Sequence, residues 1–391
     1  MNPDILNIDV QNFITNNLNT ESSKLIFKGS PFSNVSIQEI AEQVVSKNKC
    51  RTKLPTWYNT ANIYYPNKLN IEQTSSEITA AYKASLVSGN TLIDLTGGFG
   101  VDCLSFSHKF KQTVHCEINS RLSKIVHHNL KQLKIKNIRT ISEDGTSTLE
   151  KSSEKFDWIY IDPSRRNDIK GKVFQLKDCL PNVADNLEII FKRTNNILIK
   201  TSPILDLTLA INELRFVKKV HVVAVNNEVK ELLFVLEKNN QLEITIETIN
   251  FTKNKEHLFS FIYNQDITGT YSLPKRYLYQ PNSAILKSGG FQEVSFQLGI
   301  PKLHKHSHLY TSDTIQKFPG RKFEIINCIP FDKKQLKKIT PNEKANITTR
   351  NFPQSVEQIR RKTGIKDGGT QYLFFTRDHN EKLIILNCKK I

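Results

Sequence analysis

The stretch Thr91–Asp102, TLIDLTGGFGVD, decides how the rest of the chain reads. Leu92, Ile93 and Leu95 make a short apolar run. Asp94 sits within it, and Gly97, Gly98 and Gly100 follow at once. A buried strand that ends in glycines and passes into a helix brings backbone N–H groups close to a ligand. Asp94 adds a fixed carboxylate at the strand end. Glycine clusters also mark ordinary loops, so the next strand ends decide.

Acids recur at those ends. TVHCE closes at Glu117, 23 residues after Asp94. A carboxylate there can take both ribose hydroxyls of an adenosine. Ile118 and Asn119 follow it. NIRTISED closes at Asp144, behind Glu143 and before Gly145, where a carboxylate can accept from an adenine amino group. FDWIYIDPSRR carries Asp162 at the end of a fourth strand. The dinucleotide fingerprint is G-x-G-x-x-G with a pyrophosphate on a helix N-terminus. Here the order is G-G-x-G with an Asp three residues ahead of it. An acid at that entrance repels a pyrophosphate and suits a sulfonium cation with an amino-acid tail. The cofactor-facing set is therefore Asp94, Thr96, Gly97, Gly98, Gly100, Glu117, Ile118, Asn119, Asp144, Gly145 and Asp162.

Strands and helices alternate from Thr91 to about Lys238, which predicts a parallel sheet with helices on both faces. NILIKTSP supplies a fifth strand. Two apolar runs flank Asn226-Asn227-Glu228, a hairpin signal, so the sheet ends in antiparallel strands. Residues 1 to 86 read as mostly helical. Ser36 and Glu39 form a capping box, and Ile71–Val87 reads as one helix capped by Ser75 or Ser76. Gln73, Thr74 and Ser75 either cap that helix or stand at the mouth of the site. The aromatic and polar segment Thr56–Lys68 suits a surface loop or a ligand-facing one. Beyond Asn239 come two alternating strands, a strand and a helix within Lys275–Ile300, another strand, and a tail ordered strand, helix, strand, turn, strand.

At 391 residues two or three domains are expected, and 38% hydrophobic residues suffice for real cores. The net charge is +17, and +13 of it falls from Gly269 onward. Such an excess favours polyanionic partners, nucleic acid first. Biased composition, rich in Lys, Asn and Ile, is the plainer source of part of it. The six cysteines lack a C-x-x-C pair or zinc spacing, which predicts reduced and mostly buried thiols. No basic start with an apolar region and no apolar membrane span is present, so the expectation is a cytoplasmic protein without membrane contact. His304, His306 and His308 form an H-x-H-x-H run without an acidic or cysteine partner nearby in sequence; no metal is expected.

DLTGGFGVD, CEIN, SEDG and IDPSRR together resemble the motifs of class I S-adenosylmethionine-dependent methyltransferases. DPSRR with a basic tail containing RNFP and GG-x-x-YLF is similar, more narrowly, to the bacterial THUMP-like domain-containing methyltransferases. The resemblance implies S-adenosyl-L-methionine as cofactor and an α/β, Rossmann-like class I sheet with its C-terminal antiparallel hairpin. It also implies a small α+β ferredoxin-like and THUMP-like C-terminal module, and action on RNA. The expected division is a helical region 1–86, a catalytic domain 87–266, a ferredoxin-like segment 267–318 and a basic THUMP-like domain 319–391.

The fourth-strand motif carries the chemistry. Amino-directed nucleic-acid methyltransferases use D/N-P-P-Y/F/W, in which the ring lies under a flipped base. Asp162 and Pro163 match, Ser164 replaces the second proline, and Arg165 stands where the ring should be. D-P-P-R occurs in uridine C5 methyltransferases, which attack the base with a cysteine after the fifth strand. This chain has Lys200-Thr201-Ser202-Pro203 there. The expected catalytic set is Asp162, Pro163, Ser164, Arg165 and Arg166. Asp162 or a nearby carbonyl would orient an acceptor nitrogen or oxygen, and the arginines would hold a phosphate or base edge. Lys200, Arg321, Arg350, Arg360 and Arg361 are further candidate substrate contacts. Other readings are methylation of a small molecule or protein, or an RNA-binding protein that kept the fold without catalysis.

Overall fold

A computed structural model describes residues 1–165, 175–331 and 344–391. The chain divides into two compact units, Met1–Lys218 with Leu232–Leu242, and Lys219–Glu231 with Glu243–Ile391.

The first unit opens on helices, as the apolar spacing predicts. Ser36 Oγ accepts from Glu39 N while the Glu39 carboxylate takes Ser36 N, and this capping box starts helix Ile37–Lys53. Two expectations are corrected here. Of the helix read over 71–87, Glu77–Ser85 forms with the expected Ser76 cap, 3.2 Å from Thr79 N, but the residues before the cap do not continue it: Lys68–Gln73 is a separate helix. Ser75 caps nothing, because it turns inward. The segment Thr56–Lys68 is not a surface loop either: Trp57, Ile63, Tyr64 and Tyr65 are all buried. Gln43 brackets the Tyr65 backbone, donating to its carbonyl at 2.6 Å and accepting from its N–H at 2.9 Å. Asn129 does the same for Tyr64, with both bonds at 2.9 Å. Satisfied backbone groups let an irregular segment enter a core.

The five parallel strands are β1 (Thr91–Asp94), β2 (Gln112–Cys116), β3 (Ile138–Ile141), β4 (Trp158–Ile161) and β5 (Asn196–Thr201). They lie in the order β3-β2-β1-β4-β5. Strand order reverses at β1, so the crevice between the carboxyl ends of β1 and β4 is where this architecture places ligands. The hairpin β6 (Val217–Val225) and β7 (Glu228–Glu237) turns on Asn226 and Asn227, with φ of 51° and 65°. Positive φ at both positions is the type I′ signature. β7 runs antiparallel to β5 from Asn196↔Glu237 to Thr201↔Leu232.

In the second unit, β8 (Thr245–Phe251) pairs parallel to β6 and antiparallel to β9 (Glu256–Ile262). A six-stranded sheet follows: β10 (Tyr277–Pro281), β11 (Tyr310–Ser312), β12 (Gly320–Pro330), β13 (Asn346–Thr349), β14 (Gln371–Arg377) and β15 (Leu383–Lys390). Its order is β11-β10-β12-β15-β14-β13. One face packs Leu278, Phe323, Phe374 and Leu386 on Leu303 and Leu309. The other packs Leu373, Phe375 and Ile385 on Ile359 of helix Val356–Thr363. Two helices, Ser283–Ser288 and Phe291–Leu298, stand where one was expected, parted at Gly289. Among the described residues no helix is long and apolar enough to cross a membrane.

Candidate active site

The site grows from the end of β1. Asp94 is 1% exposed, and its Oδ1 accepts from Thr96 N at 2.9 Å and from Thr96 Oγ1 at 3.3 Å. The Thr96 hydroxyl also accepts from Asp162 N at 2.7 Å, so one side chain ties the ends of β1 and β4. Burial pushes the Asp94 carboxyl well above the usual range; the Thr96 amide opposes this, and Asp102 and Asp162 add to it by repulsion.

The glycine turn sits against β2. Gly97 N donates to Cys116 O at 2.7 Å. A Cβ on Gly97 would fall 2.3 Å from Nε2 of His115, which is fully buried beneath the turn. Burial pushes that imidazole down to about 4. Gly98 and Gly100 follow with φ of 54° and 80°. Gly98 N donates to Glu117 Oε2 at 2.9 Å, and Asn119 N donates to Glu117 Oε1 at 2.7 Å. Glu117 is thereby pinned between the turn and the end of β2. Asn119 caps helix Ser120–Gln132, and Ile118 is 72% exposed. Asp144 caps helix Gly145–Lys151 through Ser147 N at 2.8 Å. Gly145 permits that approach, because a Cβ there would lie 2.2 Å from Leu95 O.

At the end of β4 Asp162 is partly exposed, Pro163 buried and Ser164 exposed. Lys200 reaches from β5 to form an ion pair with the Asp162 carboxylate. Ser164 and Arg165 pair by backbone with Cys179 and Leu180. Arg166 lies outside the described residues.

A second group behind the crevice was not foreseen. Asp102 accepts from Ser75 Oγ and from Tyr160 OH, each at 2.8 Å, and faces Lys83 Nζ at 3.2 Å. Lys83 also donates to Ser75 Oγ at 3.1 Å and is fully buried. For Asp102 burial is the largest effect and raises the pKa, but Lys83, Lys200, Ser75 and Tyr160 together outweigh it and hold the carboxyl below its ordinary value. One signal was available. Lys83 shares the buried stripe of its helix with Thr79, Ala80 and Ala84, where a lysine needs a partner.

The basic residues of the second unit fall into different roles. Arg321 forks onto Gln280 Oε1 and lies 5.5 Å from the Phe323 ring centroid. Arg350 is half-buried, and its Nε finds no acceptor among the described residues. Arg360 is a strut that binds Ile365 O at 3.0 Å, Ala345 O at 3.2 Å and Asp367 at 2.5 Å. Arg361 is exposed. The three histidines diverge: His304 meets Glu381 at 2.7 Å, His306 is exposed, and His308 stacks on Phe291 with centroids 3.5 Å apart.

Three family models match the chain. Conserved hypothetical protein 95 covers residues 66–219, a ferredoxin-like domain 277–319, and a THUMP domain-like model 320–390. No curated protein matches it by sequence. A candidate methyltransferase from Porphyromonas gingivalis W83 is 30% identical over 99% of this chain and 98% of its own, with a TM-score of 0.88. Partial likenesses include an rRNA methylase from Streptococcus thermophilus, 14% identical over 43% of this chain and 99% of its own, TM-score 0.31. A candidate methyltransferase from Streptococcus mutans in complex with SAH is 16% identical over 41% and 96%, TM-score 0.30. On its full-length relative and its C-terminal matches, the chain belongs to the methyltransferase family whose members carry a ferredoxin-like and a THUMP-like domain after the large sheet.

Proposed function

We propose that the chain transfers a methyl group from S-adenosylmethionine to tRNA or rRNA, at a base nitrogen or another heteroatom. The observation that carries the cofactor half is the pinned Glu117 carboxylate beside the Gly97–Gly100 cradle. The residues present fit that cofactor. The cradle approaches His115 too closely for any Cβ at Gly97, and the donor set along the crevice is carboxylate, as a cation requires. Glu117 would face the ribose hydroxyls, the exposed Ile118 an adenine face and Asp144 its amino group. Asp94 would face the cationic end. When bound, the sulfonium supplies the methyl group.

The chain's own contribution is placement. Lys200 holds the Asp162 carboxylate, buried Pro163 stiffens the peptide beyond it, and the exposed Ser164 would face an acceptor. Ser202 and Pro203, with no cysteine, stand directly after β5, so attack on a base carbon by that route has no nucleophile there. RNA is favoured by the local charge of +13 from Gly269 onward and by the THUMP domain-like match. Cytosolic placement belongs to the same proposal and rests on six free thiols.

Profiling of modified nucleosides in tRNA and rRNA from cells lacking the gene tests the whole reading. One methylated nucleoside should vanish. If none does, and RNA binding by the purified chain is weak and insensitive to salt, the RNA assignment fails.

A further inference from the structure

We infer that the buried Lys83–Asp102 pair positions the cationic end of the methyl-donor site, so that the helices ahead of the catalytic sheet supply part of the active site. The inference rests on the donor reading above. Its ground is where the pair reaches. The Asp102 carboxylate joins three pieces of chain: Ser75 in the bend before helix Glu77–Ser85, Lys83 within that helix, and Tyr160 on β4. Tyr160 stands two residues before Asp162, and its carbonyl accepts from Leu95 N at 3.0 Å, beside Asp94. The phenol is therefore anchored at one end by Asp102, and its backbone joins the two strand ends that carry Asp94 and Asp162.

Stability alone does not call for this arrangement. Lys83 and Asp102 have side chains 0% and 11% exposed. Removing two charges from water offsets their attraction, and apolar residues of similar volume commonly serve as well or better. The pair does serve the crevice. Asp94, Asp102 and Asp162 crowd the ends of β1 and β4, and Lys83 carries most of the charge that offsets Asp102, while Lys200 pairs with Asp162 and acts on Asp102 as well. Glu117 and Asp144, at the adenosine end, are bound by other groups. Disturbing the pair should therefore act on one end of the ligand.

The test compares the full chain with Lys83→Met, with the double variant Lys83→Met/Asp102→Leu, and with Tyr160→Phe. Calorimetric affinity is measured for S-adenosylmethionine and for 5′-methylthioadenosine, which lacks the amino-acid tail and the sulfonium. Lys83→Met should lower the melting temperature, because Asp102 loses the ammonium buried against it, and the double variant should regain part of the loss. The double variant should still bind S-adenosylmethionine about tenfold more weakly, with 5′-methylthioadenosine within about threefold of wild type. Tyr160→Phe, which keeps the core volume, should show the same bias in smaller measure, and it decides the matter if the double variant does not fold. Wild-type affinity in the double variant, or equal loss of both ligands in Tyr160→Phe, overturns the inference. Wild-type chain that binds neither ligand would instead sink the donor reading, and the inference with it.

Discussion

Gly97→Ala gives the sharpest check on the cofactor cradle. The added methyl would lie 2.3 Å from Nε2, 2.4 Å from Cδ2 and 2.6 Å from Cε1 of His115. Non-bonded heavy atoms settle at about 3.5–4 Å, so some group must move by roughly 1 Å. Gly97 has no positive φ, so the penalty is steric and not a backbone one. The ring belongs to β2, which is paired on both sides, and is fully buried. The turn is the part able to yield, and it carries Gly98 N off Glu117. Overpacking of this kind costs about 1–3 kcal/mol. A misplacement of about 1 Å at a binding site can cost about 10²-fold. Thermal melting with calorimetric titration of S-adenosylmethionine should therefore show a melting point lower by a few degrees and an affinity down by one to two orders of magnitude. Pairing the change with His115→Ser removes the ring atoms: binding should recover while the melting point stays low, because a core side chain is lost. A Gly97→Ala chain with wild-type melting and affinity would falsify the close-approach account.

Three further outcomes are expected. The Asp94 carboxyl is raised in the fold, so the stability it contributes is complete below its unfolded pKa of about 3.9 and is lost as pH rises through the folded value. Asp94→Asn should accordingly raise the melting point of the ligand-free chain at neutral pH more than at pH about 4, while removing S-adenosylmethionine binding; a lower melting point at neutral pH would contradict this. Lys200→Met should slow methyl transfer by about 10²-fold with little change in cofactor affinity, since it frees Asp162 but leaves Glu117 in place. Arg361→Ala should reduce the salt slope of RNA binding by about 1, whereas Arg360→Ala should show first as a lower melting point, because it unties Ile365 and Ala345; the reverse pattern would exchange their roles.

The catalytic sheet was legible because its signals are local. Each parallel strand is an apolar run that stops where the chain leaves the core, so Asp94, Glu117 and Asp162 could be placed at strand ends from spacing, whereas β3 stops at Ile141 and Asp144, read as its end, caps the next helix instead. The Asn226-Asn227 turn was legible for the same reason. What escaped notice depends on partners remote in sequence. Lys83 reads as an ordinary helix lysine until Asp102 and Ser75 are brought to it. Ser75, at the bend before the Ser76 cap, donates to that carboxylate, a contact no helix propensity records. Arg360 and Arg361 are neighbours in a basic run, yet one is a strut and the other meets solvent.

The bracketing of Tyr64 and Tyr65 by Asn129 and Gln43 has a consequence for how this protein can be cut. A primary amide carries N–H donors and an oxygen acceptor together, so Gln43 and Asn129 each meet both the N–H and the C=O of a tyrosine that lies in no strand. An acid at either position would forfeit the donor, and an aliphatic would forfeit both groups. Asn129 belongs to the helix after β2, and the core that holds Trp57 and Tyr65 also holds Phe99, Val101 and Val126. A fragment ending near residue 86 would leave the Tyr64 backbone without its amide and that core open on one side. The opening helices and the glycine-turn half of the sheet are built to fold as one piece.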